Sequence, residues 1–209
     1  GDLQQMLSEH PGTPSAGEPD EGDATSLLVR ELLTPIEEAP APFEVPFTSP
    51  LMFGFLSALS KTFWSWKVVG QEHLDRSGGF LIAGNHVTYL DGAWLRNATT
   101  PEVRSRLTAY SYSGLPGFTH FFLRQMENIP IDPGGSFRLA IRHGVHALQQ
   151  DKALLIFPEG LRTHSGKMRQ FRLGVGLLSV LSQKPIVPFR TRGMFQIFPR
   201  HRGLPRFFG

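Results

Sequence analysis

The chain has 209 residues, 40% hydrophobic and 19% charged, which suits one domain of ordinary size with a substantial core plus an appendage. It contains no cysteine, so disulfides, thiol nucleophiles and thiolate metal sites are excluded together. The net charge of +3 hides an asymmetry, because residues 1–50 hold ten acids against the single base Arg30 and the remainder holds 20 bases against eight acids. Glu159 is the last acid, and every charged residue beyond it is Arg or Lys. A surface that basic attracts phosphate, whether on nucleic acid, on lipid headgroups or on a small acidic substrate, and charge alone does not choose among the three.

In chain order, the opening GDLQQMLSEH is polar and lacks the basic start and apolar block of a signal peptide. Together with the missing cysteines, this leads to the expectation of a cytosol-facing protein. Its spacing of Leu3, Met6 and Leu7 is helical and stops before Pro11, and it resembles the last helix of an acyl-carrier-type domain. That resemblance implies a chain cut from a larger protein, with carrier or synthetase domains fused upstream. Residues 10–50 are rich in Pro, Gly, Ala, Ser and Glu and cannot bury enough surface to order themselves. Residues 1–45 are therefore expected to form an acidic linker, disordered apart from a short helix over ATSLLVRELL, and residues 46–209 a folded domain.

That domain opens with PFTSPLMFGFLSALSKTFWSW, where Met52, Phe55, Leu56, Leu59, Phe63 and Trp66 fall on one side of a helix. Lys61 keeps the unbroken apolar run below the roughly 20 residues of a spanning helix. Two readings stand open: a helix packed on the domain's own core, or one lying in a membrane surface with Trp64 and Trp66 at headgroup depth. Beyond it, WKVVG, FLIAG, LTAYSY, NIPI, ALLIF and PIVPF read as short strands. DGAWLRNA, SFRLAIRHGVHALQQ and LGVGLLSVLS read as helices between them, with Phe137, Ile141, Val145 and Leu148 on one face of the second. The alternation predicts an α/β domain whose central sheet is mostly parallel and flanked by helices. Ligands of such sheets sit at the carboxyl ends of the strands.

Two polar stretches lie at such ends. In NHVTYLD, a continuous helix would separate His86 from Asp91 by about 140°. If His86 instead stands in the strand-to-helix turn and the helix starts near Thr88, Asp91 reaches back to the imidazole. A carboxylate on one ring nitrogen fixes the tautomer and leaves the other as a base, the His–Asp half of a triad without its own nucleophile. Thr88 and Asp91 equally fit a capping box that satisfies the backbone donors of a helix start. In FPEGLRTHSGKMRQFRLG, Pro158 ends a strand, Glu159 and Gly160 turn the chain, and Arg162, Lys167, Arg169 and Arg172 follow as a candidate phosphate clamp or a solvated basic loop.

These stretches carry a resemblance. NHVTYLD is similar to the Asn-His-x4-Asp motif of the glycerolipid acyltransferases, the family of 1-acyl-glycerol-3-phosphate acyltransferase, and FPEGLRT resembles their Phe-Pro-Glu-Gly-Thr-Arg-Ser block, with Leu161 and Thr163 as departures. ENIPIDP matches the second block loosely and PIVPF the fourth, in family order over roughly Trp66 to Gly193. The resemblance implies transfer of a fatty acyl group from an acyl-CoA or acyl-carrier-protein thioester to the free hydroxyl of lysophosphatidate or a related lysolipid. It implies His86 as general base oriented by Asp91, and Glu159 and Gly160 shaping the acceptor site with Arg162 on its phosphate. Asn85, Thr88, Arg138, Lys167 and Arg172 complete the expected substrate-binding set. Neither a metal nor a resident cofactor is implied, and the expected setting is peripheral, on the cytoplasmic face of a membrane.

Two departures bear on the acceptor and the fold. Pro133 stands where the second block commonly ends in a basic residue, with Arg138 the nearest base downstream, and the chain stops at LPRFFG where the family carries a further strand or two. A different lipid alcohol as acceptor, and a non-catalytic lipid-binding module, are the competing readings. Nucleic-acid binding ranks last because the basic segment contains no reader motif.

Overall fold

The computed structural model describes Arg30 and residues 49–112, 127–131, 135–202 and 205–206. The chain separates into two units, residues 1–31 and 32–209, and every described residue except Arg30 falls in the second. The expected linker apart from Arg30, the opening helix, Pro133, and Leu204 and the last three positions of LPRFFG lie outside the described residues; of ATSLLVRELL, only Arg30 is described, and it is helical.

Five parallel strands form one sheet: β1 (Phe80–Gly84), β2 (Leu107–Tyr112), β3 (Glu127–Ile131), β4 (Ala153–Ile156) and β5 (Ile186–Phe189), in the order β3-β2-β4-β1-β5. All five residues of β1 are buried, as a strand flanked on both edges and covered on both faces requires. Its register sets Ala83 opposite Ile156 of β4 and Gly84 opposite Phe189 of β5, so three strand ends meet at one edge. WKVVG is not a strand: residues 64–70 have no regular structure and Val69 is exposed. Branched residues favour a strand only where a half-buried pleated surface exists to receive them, and Val69 has none.

Among the described residues 49–206 the helices are α1 (Ser49–Phe63), α2 (Asp91–Ala98), α3 (Pro101–Ser105), α4 (Phe137–Gln149), α5 (Gly174–Ser182) and α6 (Met194–Ile197), with a 3-10 turn over Gln71–Leu74. One core cluster joins Phe80, Ile82, Leu107, Ala109, Ala153, Leu155 and Val187 of the sheet to Phe53 of α1, Leu95 of α2 and Val103 of α3. Helices α4 and α5 pack against each other and against β4 and β1, burying Ile141, Val145, Leu148 and Leu178. The short α3 begins in a way the sequence allowed, with the Thr100 hydroxyl accepting from Val103 N and Pro101 in the first turn.

Helix α1 is where the expected face shifts. Phe53 and Ser60 turn inward and Phe55 is 67% exposed, while Met52, Leu59 and Phe63 of the expected face are half-buried, Met52 against the core cluster. The tryptophans are half-buried against the protein itself. Trp64 and Trp66 stand edge-on to Trp94 of α2 at 5.8 and 5.6 Å, and the Trp64 indole donates to the Arg206 carbonyl at 2.8 Å. Such aromatic contacts hold α1 on α2 whatever else the helix meets.

Close approaches at two glycines give a stability test. A Cβ on Gly79 would run into the main-chain carbonyl of Leu148, which has no rotamer to swing away, whereas one on Gly176 in α5 would meet open space. Gly79→Ala should lower stability by about 1–3 kcal/mol or more. Gly176→Ala should be neutral or stabilising by up to about 1 kcal/mol. Urea-unfolding midpoints of both variants against the parent chain check the pair.

Candidate active site

The site begins where β1 ends. Asn85, the first residue beyond β1, is buried, and its amide is saturated by one partner: Oδ1 accepts from Thr191 N at 2.8 Å and Thr191 Oγ1 at 3.3 Å, and Nδ2 donates to Thr191 O at 3.1 Å. This clasp ties the exit of β1 to the exit of β5. His86 is gripped from the other side by the segment that follows β4. Its N–H donates to Glu159 Oε1 at 2.8 Å, its carbonyl accepts from Thr163 N at 2.9 Å, and its ring lies flat on Phe157 with centroids 3.9 Å apart and planes 11° from parallel.

With backbone and ring face both fixed, the imidazole edge is directed by Asp91. Nδ1 and Asp91 Oδ2 are 2.9 Å apart. The Asp91 carboxylate is fully buried, and everything around it donates: Oδ2 also accepts from Val87 N at 2.6 Å and Thr88 N at 2.9 Å, and Oδ1 accepts from the Thr88 hydroxyl at 3.1 Å. Thr88 Oγ1 in turn accepts from Leu90 N at 3.0 Å. The helix starts at Asp91 rather than near Thr88, and the amide donors of residues 87 and 88, which no helical carbonyl reaches, are satisfied by that carboxylate. Asp91 thus caps the turn and orients the histidine with the same oxygen. A carboxylate acceptor at Nδ1 makes that nitrogen the N–H, so Nε2 carries the free lone pair.

Glu159 is 2% exposed, and its second oxygen accepts from Arg169 N at 2.7 Å. One buried carboxylate therefore links the His86 turn to the far side of the basic loop, and the cost of burying its charge is offset by two charge-assisted bonds. Gly160, at φ +70, makes the turn that follows, and a Cβ there would press on the Arg172 side chain.

A cavity of about 490 Å³ opens beside His86. At its exposed end stand His86, Tyr89, Arg162, Arg172 and Arg200; its buried end is lined by Ala109, Ile141, Leu155 and Leu178. Tyr110 also lines it, and burial pushes its phenol above the ordinary range while the hydroxyl donates to Ala140 O at 2.8 Å. The Arg162 guanidinium lies 3.1 Å over the Tyr89 ring. Its pKa is lowered, chiefly by burial and further by Arg200, with Tyr89 and Asp91 opposing. Among the described residues its Nη1 is buried and has no hydrogen-bond partner. A charged donor in that position is costly until an acceptor arrives.

Of the residues expected from sequence, His86, Gly160, Arg162 and Arg172 line the cavity, with Asp91 directly behind His86. Asn85, Thr88 and Glu159 lie beneath it as buried hydrogen-bond centres. Arg138, in the first turn of α4, and Lys167, on the loop, are exposed and outside the lining. Phe157, Tyr89 and Arg200 were not expected. Phe157 and Tyr89 sit inside the two quoted stretches, where alternation with the motif residues marks them; nothing local marks Arg200, which arrives from beyond α6. Among the described residues, no group of three or more His, Asp or Glu side chains is placed to hold a metal ion.

Comparison with known proteins bears on the family and the fold. Residues 65–192, more than half of the chain, match the family profile described as Acyltransferase. In three dimensions the chain is similar to the crystal structure of the 1-acyl-sn-glycerophosphate (LPA) acyltransferase PlsC from Thermotoga maritima, with a TM-score of 0.55 and 16% sequence identity over 86% of this chain and 71% of that one. At that identity the likeness concerns the fold, a parallel sheet flanked by helices.

The double role of Glu159 can be tested without any substrate. Glu159→Gln replaces one acceptor oxygen with an amide that meets a backbone N–H head-on, and should cost about 1–3 kcal/mol in chemical unfolding. Loss of stability by less than a few tenths of a kcal/mol would mean that the two backbone bonds are not what joins the loop to the His86 turn.

Proposed function

The chain belongs to the acyltransferase family, and on that footing we propose that it moves a fatty acyl group from an acyl thioester to the free hydroxyl of lysophosphatidate or a related lysolipid. The observation that carries this reading is the 2.9 Å pairing of His86 Nδ1 with the buried Asp91, which leaves Nε2 as the free ring nitrogen at the edge of a largely apolar cavity.

In the proposed reaction, His86 Nε2 takes the proton from the acceptor hydroxyl as its oxygen attacks the thioester carbonyl carbon. The new C–O ester bond forms, the C–S bond breaks, and the departing thiolate receives the proton back from Nε2. Asp91 stabilises the imidazolium formed between these steps and stays ionised throughout. The nucleophile belongs to the substrate, so no activated serine or cysteine is needed. The apolar end of the cavity suits an acyl chain. The orphaned Nη1 of Arg162, with Arg172 and Arg200 beside it, suits a phosphate, to which guanidinium forks bond with two oxygens at once. The substrate in the name of the Thermotoga protein supports lysophosphatidate as the acceptor. Donor identity, acyl-CoA or acyl-carrier protein, follows from the same chemistry in either case. No helix among the described residues is long and apolar enough to cross a membrane. The proposed lysolipid acceptor is itself a membrane component, and on that ground the enzyme is read as working at a membrane surface.

His86→Ala should lower turnover by at least 10²–10⁴-fold, since general-base catalysis supplies about that factor, while the chain still folds at a cost of about 1–3 kcal/mol for the lost Phe157 stack and the lost donor to buried Asp91. Asp91→Asn should lose less activity but also unfold more easily, because a neutral amide oxygen is a weaker acceptor for the three donors at Oδ2 and its NH2 group replaces the oxygen that accepts from the Thr88 hydroxyl. Product identification by mass spectrometry after incubation with mixed thioesters and lysolipids provides the assay, and full activity of His86→Ala would refute the assignment.

For the acceptor, Arg162→Ala should weaken kcat/KM on a phosphate-bearing lysolipid by at least about tenfold, roughly 1.4 kcal/mol, with a much smaller effect on a phosphate-free one. Equal losses on both acceptors would instead make Arg162 a brace of its own loop.

A further inference from the structure

The loop that follows Gly160 carries a second feature that acyl transfer itself does not require. Residues 164–173 are all exposed, yet their backbone is held in place. The Thr163 hydroxyl donates to Lys167 O at 2.7 Å, Arg169 N donates to buried Glu159 at 2.7 Å, Arg172 N donates to Pro158 O at 2.8 Å, and Gly166 lies close against the Phe195 ring of α6. On this fixed frame Leu161, Met168, Phe171 and Leu173 point large apolar surface at water, Met168 and Phe171 each about half exposed at 52% and 53%. Helix α4 extends the patch. Phe137 and Leu139 are exposed at its start, and the Phe137 ring comes within 3.8 Å of the Cβ position on Gly174. A rigid element that holds contiguous apolar side chains in water marks an interaction surface.

The charges interleaved with that patch are of one sign. Lys167, Arg169 and Arg172 alternate with Met168 and Phe171, Arg138 stands between Phe137 and Leu139, and neither α4 nor any residue after Glu159 is acidic. Apolar tips that enter a lipid interface, ringed by bases that neutralise its headgroups, fit an anionic bilayer. Helix α1 lacks that combination: its exposed Leu51 and Phe55 have one base on the helix, Lys61 in the last turn, and the tryptophans after it are spent on Trp94.

We propose that the 161–173 loop, with the first turn of α4, is the face by which this protein docks on an anionic membrane surface, so that the cavity beside His86 opens against the lipid. The inference rests on the proposed lysolipid substrate for its purpose, though not for its evidence. Because Leu161, Arg162 and Arg172 belong both to the loop and to the cavity lining, docking brings the acceptor to the site without its leaving the bilayer.

The test is flotation of the full chain with vesicles of zwitterionic phospholipid, with and without added anionic phospholipid. Binding should be at least about tenfold tighter on the anionic vesicles and should fall with salt. The double variant Met168→Ser with Phe171→Ser should reduce that binding by at least about tenfold. Its unfolding midpoint and its turnover on a short-chain, water-soluble acceptor should match the parent, while Leu51→Ser with Phe55→Ser should bind nearly as the parent does. Parental binding by the loop variant, indifference to anionic lipid, or loss of binding in the α1 variant alone would each overturn the proposal. So would parental vesicle binding by the loop variant coupled to a raised KM for an acyl-carrier-protein donor, which would assign the face to an acidic protein. Failure of the parent chain to acylate any acceptor would defeat the proposed activity, and the vesicle measurements would still decide the docking face.

Discussion

The site depends on a carboxylate buried where solvent cannot stabilise it. Glu159 has almost no exposed surface, and it is tolerable there because two main-chain donors from separate segments, His86 N and Arg169 N, converge on it. The convergence is also the geometry of the site. One bond fixes the residue that bears the imidazole, and the other fixes the far side of the loop that bears Arg162 and Arg172. The imidazole and the cationic end of the cavity are thus referred to a single side chain at the end of β4, and neither is free to drift relative to the other.

Asp91 repeats the principle at shorter range. Four donors surround its carboxylate: the His86 ring nitrogen, two backbone amides and the Thr88 hydroxyl, all from the turn that precedes the helix. Capping and orientation of a histidine are commonly treated as rival explanations for an acidic residue at a helix start. Here the same oxygen accepts from Nδ1 and from two backbone amides, so one group does both. Precise placement of an imidazole follows from saturating a buried charge.

The sheet supplies what makes such saturation feasible. Strand β1 lies between β4 and β5 in register, and the ends of all three arrive together, which places Asn85 against Thr191 and His86 against Phe157 and Glu159. Apolar strand residues carry the chain into the core, and polar residues appear only where the strands run out. The cavity follows the same gradient, from arginines at the exposed end to Leu155 and Leu178 at the buried end.

The sequence by itself determined the local elements and which residues stand at the strand ends. The alternation of FLIAG, LTAYSY, NIPI, ALLIF and PIVPF with helical stretches was enough for a parallel α/β sheet, and the strand-end position of His86, Asp91, Glu159 and Arg162 was enough to single them out, because periodicity and turn chemistry are properties of neighbouring residues. Only the tertiary structure decided matters that depend on distant partners. Val68 and Val69 have strand propensity but no edge to join; Phe53 rather than Phe55 faces the core because the sheet and α2 dictate which side of α1 is covered; and Trp64 and Trp66 turn to Trp94. The division of labour within the motifs was likewise invisible along the chain. Asn85 and Glu159 look like ligand groups in sequence, and their buried bonds to Thr191 and to His86 appear only once segments 106 and 73 residues apart meet. Arg200, which reaches the cavity from beyond α6, has no local signature at all, since its proximity to Arg162 is created by the fold and by nothing adjacent to it in the chain.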